Sequence, residues 1–508
     1  MQSLLFSTHP IKRGFFIFFI FLIAGLLLFL PIIDKGFASD DFMVLHRIVY
    51  EKVFFIPGFF RPLSDMSLYT SYLMGGFNPV YYNIFNITIH AGCAFLLYQI
   101  CLLRNFPSPG NRVYFAWLTS ILFLVYPFHN EAVIWAIGRG IVLSGFFGLL
   151  SLLAALSTAA GYRHYLLSCL LYFISLSGYE TSILLPAIVL ILLYKHTSPG
   201  KLFLLATGYS LTLAVNMAVR LKMAGTISGD YGSKMFSSGT VGNIVKFLKG
   251  TGRLLLPPSD HSVLLGICFA LLVAGIIAGT MVIVKQRRTQ LRDYILLSSI
   301  AFISIVVPAL FGVSTKTYEG DRVFYFTSFF LCAWLAYLIM LLKSNKWRLY
   351  ISAAVTGYFI FFFYQGVQTW RKSGVIADDI INAVHHISHS EGKLYLVNLP
   401  EEYNGAPVFR NGFKQALLIN RSDTTGIVVV NYLSSEYAFR TAGNIQPVQQ
   451  QTHVFIYPAL LITDRHIDAR IRTNVNETDS IHLSYNPADK IYYWNKKSFC
   501  ELSGKYLN

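Results

Sequence analysis

Apolar runs long enough to cross a lipid bilayer recur along this chain from its N terminus to about Gln365. A helix rises about 1.5 Å per residue, so about 20 apolar residues cover the roughly 30 Å of hydrocarbon. Nine stretches are read as spans: Gly14 to Ile33, Tyr82 to Leu103, Val113 to Phe128, Arg139 to Ala160, Lys201 to Met223, Val263 to Val284, Tyr294 to Gly312, Val323 to Leu342 and Leu349 to Gln365. Composition agrees, since 54% of the 508 residues are hydrophobic and 13% are charged, with a mean hydropathy of +0.52. A chain of this kind folds in lipid, as a polytopic α-helical membrane protein.

The stretch from His164 to Tyr194 is settled by charge. Lys12 and Arg13, Arg104 and Arg112, Arg163, Lys195 and Lys201, Lys285 with Arg287, Arg288 and Arg292, and Lys343 with Lys346 and Arg348 mark the ends of runs. One helix from His164 to Tyr194 would put Arg163 and Lys195 on opposite faces and turn every later cluster outward. Two short spans keep them all on the cytoplasmic side. The expectation is therefore about eleven crossings, a cytoplasmic N terminus and an extracytoplasmic C-terminal tail. The first run is too long, and Phe37-Ala38-Ser39 too poor a cleavage site, for a removable signal peptide. The net charge of +16 is spent at helix ends, and no basic groove alternates with base-stacking aromatics, so no nucleic acid is expected as partner. Five of the six cysteines lie in expected spans, which gives neither a disulfide framework nor a metal spacing.

Two domains are expected: a membrane domain over residues 1–366 and a small α/β extracytoplasmic domain over 367–508. Outer loops 34–80 and 224–260 carry segments suited to interfacial helices, VFFIPGFF and SLYTSYLM in the first and TVGNIVKFLKGTGRLLLPP with Lys246, Lys249 and Arg253 in the second. The tail opens on the helical pattern VIADDIINAVHHISH and continues with strand-like KLYLVNLP, IVVVNYL and THVFIYPALLI.

This topology gathers polar residues on the outer side. Asp40 and Asp41 follow the first span, then come Arg61, His129 and Glu131, with Arg139 placed just beyond, near the outer surface. Glu180 stands at the bend Ser177-Gly178-Tyr179-Glu180 between the two short spans, and Glu319, Asp321 and Arg322 lie between the ninth and tenth. Each has an ordinary explanation. Paired aspartates solvate a translocated loop, arginines at a membrane edge reach for lipid phosphate, and a histidine can bond a turn. Glu180 resists that treatment, because a carboxylate inside an apolar hairpin needs a partner. His90 and Asn86, one turn apart, read as an interhelical hydrogen-bonding face. Taken together, guanidiniums suit a phosphate and a carboxylate suits a base that removes a hydroxyl proton, a combination that a lipid-phosphate-using transferase would need.

The motifs ASDDF, FRPLSDMSLYTSYLMGGFNPVYYNIFNITIHA, YPFHNEAVIWAIGRGIVLSG, GYETSILLPA and GDRVFYFTS, in that order, resemble the GT-C glycosyltransferases of the protein O-mannosyltransferase and transmembrane-TPR mannosyltransferase type. The tail has no tetratricopeptide period, and its LVNLPEEYNGAPVFRNGF looks like the end of bacterial members, which implies residence in a bacterial inner (plasma) membrane with the tail in the periplasm. The resemblance implies inverting transfer of a sugar from a polyprenyl-phosphate donor to a hydroxyl of a protein, lipid or glycan acceptor, on the extracytoplasmic (periplasmic) face. It implies Asp40 or Asp41 as catalytic base, with Asp40 favoured. Arg61, Arg139 and Arg322 are then candidates for the donor phosphate, and His129, Glu131 and Glu180 for organising the pocket. No cofactor is required, and a divalent metal is compatible but not demanded. A polysaccharide polymerase or ligase would use similar arginines without needing acids so soon after the first span. A multi-pass transporter or flippase would call for related halves and charges at mid-membrane.

Overall fold

The computed structural model describes residues 10–54, 56, 58–157, 161–225, 239–259, 261–286, 290–311, 313–387, 392–397, 399–420, 424, 426–430, 448–450, 453–457, 460–462, 466–474, 477–484, 486, 488–494 and 498–501. Arg287, Arg288 and the residues 431–433 that close the IVVVNYL segment lie outside them. The chain forms two compact units, residues 1–33 with 52–367 and residues 34–51 with 368–508.

The first unit is helical. In chain order its elements are α1 (Pro10–Leu28), α3 (Pro62–Gly75), α4 (Pro79–Leu102), α5 (Arg112–Leu124), α6 (Asn130–Ile134), α7 (Arg139–Leu156), α8 (Tyr162–Gly178), α9 (Leu185–Leu193), α10 (Pro199–Ala224), α11 (Gly239–Gly252), α12 (Ser262–Gln286), α13 (Leu291–Phe311), α14 (Phe324–Met340) and the first half of α15 (Asn345–His385). α2 (Asp40–His46) belongs to the second unit. Among the described residues, six helices are long and apolar enough to cross a membrane, those within 79–102, 136–156, 199–224, 262–285, 321–340 and 345–385; residues 13–28, 112–124 and 180–193 form shorter apolar helices. Helix boundaries follow local chemistry. Asn78 and Asn111 cap α4 and α5 by accepting from the Val80 and Tyr114 amides, and Pro79 stands at a first-turn position where its missing N–H costs nothing.

α14 is buried nearly all round, whereas α10 and α12 leave most of their apolar surface open. Around α14 the core is aromatic: Phe123, Tyr325 and Phe329 pack within 5.6 Å of one another, centroid to centroid. In lipid the helices gain nothing by hiding apolar surface from water, so close approach and interhelical hydrogen bonds hold them together. α7 and α8 show both. A Cβ on Gly140 would lie 2.9 Å from the Gly178 carbonyl oxygen, and one on Gly178 2.8 Å from that of Gly140. Ser144 and Ser151 of α7 bond Ser175 and Ser168 of α8, and the Tyr209 hydroxyl of α10 joins Ser168 at 2.6 Å. His90 meets the Tyr325 hydroxyl at 2.8 Å.

Three local expectations are corrected. The described residues of the segment 53–60 form no helix: an antiparallel bridge joins Ile56 to Phe59, with Gly58 at φ 85° between them. Arg253, expected on the membrane surface, is buried and ion-paired with Asp321. Arg139, expected near the outer surface, is fully buried. Its Nε donates to Asn86 Oδ1 at 2.7 Å, Nη1 to the Ser67 carbonyl at 2.7 Å and Ser71 Oγ at 2.8 Å, and Nη2 to the Tyr82 carbonyl at 3.0 Å. One guanidinium thus ties α7 to α3 and α4.

Among the described residues the second unit holds α2, the end of α15, α16 (Phe413–Ile419) and eleven strands: β1 (Leu394–Val397), β2 (Glu402–Tyr403), β3 (Ala406–Pro407), β4 (Ile427–Val430), β5 (Val448–Gln450), β6 (His453–Tyr457), β7 (Leu460–Ile462), β8 (His466–Asn474), β9 (Glu477–Ser484), β10 (Lys490–Trp494) and β11 (Phe499–Glu501). They make a mixed sheet in the order β11-β10-β1-β4, with β1 parallel to both neighbours, a β2-β3 hairpin, and an antiparallel meander β5 to β9. Asp34 to Glu51 groups here rather than with the membrane helices because the Ser39 amide donates to the Val408 carbonyl at 2.8 Å and the Asn411 amide to Ser39 Oγ at 3.2 Å.

Arg139→Ala removes the hydrogen bonds that join α7 to α3 and α4 and leaves the buried Asn86 side-chain oxygen without this donor, at about 1–3 kcal/mol. Thermal unfolding in detergent is expected to fall sharply, with Arg139→Lys intermediate because an ammonium cannot reach acceptors on two helices in the guanidinium's geometry.

Candidate functional site

In the first unit the structure brings Glu180 and Arg61 together and adds a partner that sequence reasoning missed. Glu180 begins the single 3-10 turn between α8 and α9. Its Oε1 accepts from Arg220 Nη1 at 2.5 Å, and Oε2 faces Arg61 Nη2 at 3.5 Å. Arg220 comes from α10, where it also donates to Asn216 Oδ1 one turn earlier at 2.8 Å and to the Leu176 carbonyl at 2.6 Å. Arg61 precedes α3 and lies 3.9 Å from the centroid of the Tyr179 ring. The Arg61 and Glu180 side chains keep 22% and 24% of their surface, whereas Arg220 keeps 6%. Arg61 is therefore the guanidinium of this triad that an outside anion can reach. An arginine within the apolar run from Lys201 to Met223 was itself the available signal, since an intramembrane charge needs a partner.

Glu131 and Arg322 form a second pair. The Glu131 carboxylate binds the Arg322 guanidinium and accepts from the Arg322 amide at 2.8 Å. Burial pushes the Glu131 carboxyl up, and Arg322 opposes the shift. Arg322 stays partly exposed, beside the Trp135 ring.

Two expected site residues go elsewhere. Arg139 has its guanidinium turned into protein acceptors, which makes it framework rather than a phosphate ligand. His129 is fully buried, bonded to Ser328 Oγ at 2.7 Å and packed on Phe123 and Tyr325, both 4.6 Å between centroids. It braces the core instead of lining a pocket.

In the second unit the paired aspartates separate in environment. Ser39 sits at φ 50°, an uncommon conformation for a residue with a Cβ. Asp41 follows with 1% of its surface exposed, and its Oδ2 accepts from the Ala38 amide at 3.1 Å. Asp40 is partly exposed and accepts from Asn411 Nδ2 at 2.9 Å. Lys35, buried beside this turn, donates to the Gly36 carbonyl at 2.8 Å and stands 5.8 Å from the centroid of the Trp370 ring. Its burial lowers the ammonium's pKa, and Asp41 and Asp378 counteract this. Gly36 is constrained by that approach: a Cβ there would lie 2.6 Å from Asp378 Oδ1. Lys35, Asp378 and Asn411 carry no sequence signal of their association, because they lie toward opposite ends of the chain. Among the described residues no three His, Cys, Asp or Glu side chains gather as metal ligands.

No family model matches the chain. Human protein O-mannosyl-transferase TMTC4 is 34% identical over 103 residues, 18% of this chain and 14% of that protein. Protein O-mannosyl-transferase tmtc2 of Xenopus laevis is 30% identical over 150 residues, 25% and 17% of the two chains. The similarity thus spans under a fifth of the length of these relatives, and it is to the protein O-mannosyltransferases that the motifs resemble. Among solved structures, arabinofuranosyltransferase AftD from Mycobacteria aligns with a TM-score of 0.45 at 12% identity over 82% of this chain and 31% of that one. ArnT from Cupriavidus metallidurans bound to undecaprenyl phosphate aligns with a TM-score of 0.44 at 10% identity over 84% and 91%.

The triad predicts an asymmetry. Glu180→Ala strands the buried Arg220 and is expected to cost about 3–5 kcal/mol, whereas Arg61→Ala, at a partly open pair, is expected to cost about 0–1 kcal/mol. Thermal unfolding of the purified variants measures both, and a Glu180→Leu, Arg220→Met double variant recovers much of the loss.

Proposed function

We propose that the chain is an inverting membrane glycosyltransferase that moves a sugar from a polyprenyl-phosphate donor to an acceptor hydroxyl on the extracytoplasmic face. The similarity to protein O-mannosyltransferases supports the reaction class. The observation that carries the mechanism is the split between the two aspartates: Asp40 keeps a carboxylate open to solvent and held by one amide, while Asp41 turns inward to fix the backbone.

Asp40 is then the base. It takes the acceptor's proton as the hydroxyl oxygen attacks the anomeric carbon, and the bond to the donor phosphate breaks with inversion. Arg61 and Arg322, both partly exposed, offset the charge on the departing lipid phosphate. Glu180 with Arg220, and Glu131, hold those guanidiniums in place. Arg139 and His129 serve the framework. The eleven expected crossings, with basic connections in the cytoplasm and the tail in the periplasm, put these groups on the outer side of an inner membrane. The acceptor is a protein, lipid or glycan hydroxyl.

Asp40→Asn is expected to lower transfer from a polyprenyl-phosphate sugar about 10²–10⁴-fold, the range for removing a general base, with unchanged thermal unfolding. Asp41→Asn is expected to lower the unfolding temperature and to leave more activity per folded molecule than Asp40→Asn. Full transfer by Asp40→Asn, measured with radiolabelled donor in proteoliposomes, would overturn the assignment.

A further inference from the structure

The basic helix ends of the first unit treat their charges in two ways. Arg112 donates to the carbonyls of Leu103, Arg104 and Phe106. Arg348 donates to the Leu342 carbonyl and to Asn345 Oδ1. These guanidiniums are spent on the connections between consecutive helices. Lys195 and Arg292 make no hydrogen bond or ion pair with any described residue, and both line one cleft.

That cleft lies between the end of α9 and the first turns of α13. It is an open cleft of about 650 Å³, within the roughly 300–1,000 Å³ typical of small-molecule sites. Its remaining wall is largely apolar, with Ile191, Tyr194, Ile295 and Leu296, and among the described residues no carboxylate lines it. Half of the Ile295 surface and more of Tyr194 remain open. Two cations at the end of apolar helices lie at headgroup depth, and the apolar wall beside them lies where acyl chains run. Two uncompensated cations at one opening call for an anion, and an apolar wall leading away from them calls for a hydrocarbon chain.

We propose that this cleft binds one anionic glycerophospholipid of the surrounding bilayer, its phosphate between Lys195 and Arg292 and a chain along Ile191, Ile295 and Leu296. None of its lining residues is one of the acidic pair or of the candidate phosphate arginines, so the proposal does not rest on the reaction assigned above.

Native mass spectrometry of the full chain tests this, with dioleoylphosphatidylglycerol, dioleoylphosphatidylcholine and undecaprenyl phosphate as probes. The wild-type chain is expected to retain one phosphatidylglycerol in preference to phosphatidylcholine. Lys195→Gln with Arg292→Gln is expected to weaken retention about thirtyfold, near fivefold for each cation at a membrane surface. Ile295→Trp, which fills the cleft and keeps both cations, is expected to weaken it as well. Unchanged retention in the charge variant overturns the proposal, and should that variant fail to fold, unchanged retention in Ile295→Trp does so. Displacement of phosphatidylglycerol by equimolar undecaprenyl phosphate would assign the cleft to the carrier lipid and overturn it equally.

Discussion

The guanidinium of Arg139 is the interaction on which the membrane unit most depends. A buried cation is tolerable only when its donors are met, and here Asn86, Ser67, Ser71 and Tyr82 meet them from two neighbouring helices. Meeting them fixes where α3 and α4 lie against α7. It also fixes the next elements of the chain, because the close glycine contact between α7 and α8 begins one residue later, at Gly140, and α8 leads directly into the turn that carries Glu180. The open triad of Arg61, Glu180 and Arg220 therefore rests on a closed cluster around Arg139. Charges used for architecture are buried against protein partners, and charges offered outward keep part of their surface.

The same division runs through the other pairs. Arg253 and Asp321 are both buried, and Arg253 lies 4.7 Å from the Phe128 ring centroid, an arrangement that fixes the approach to α14. The neighbouring Arg322 keeps an open edge while a buried glutamate grips it from behind. Two consecutive residues at one helix start thus face opposite duties. Asp40 and Asp41 repeat the pattern on a short helix of the second unit, with the uncommon backbone of Ser39 turning one carboxylate in and leaving the other out. A pair of like charges is useful in that position because only one of the two has to be buried.

Much of the helical unit was legible because hydrocarbon thickness imposes a length on apolar helices. A helix occupies each stretch expected to span, including the two short ones around Glu180. The glutamate itself announced that it needed a partner, but which partner depended on packing: Arg220 lies 40 residues away, hidden in a run that reads as apolar. Arg139 misled for the complementary reason. Its position beside a span suggested a rim, and its burial is decided by α3, whose Ser67 and Ser71 carry no periodic signal that distinguishes them from surface serines. VFFIPGFF reads by composition as a helix, whereas its Ile56 and Phe59 pair as an isolated bridge. In the tail the strands were legible from β-branched runs, whereas the hold of Val408 and Asn411 on Ser39 joins segments that no local pattern connects.

That hold also bears on what can be exchanged. The chain passes between its two units at residues 33/34, 51/52 and 367/368, so the tail is not an appendage joined by a single linker. A homologous tail grafted after residue 367 would bring its own counterparts of Asn411 and Trp370 to a Lys35-to-Glu51 segment that did not evolve with them. The acidic loop and the distant residues around Trp370, Asp378, Val408 and Asn411 have to change together, and their inheritance is that of one domain written in two places.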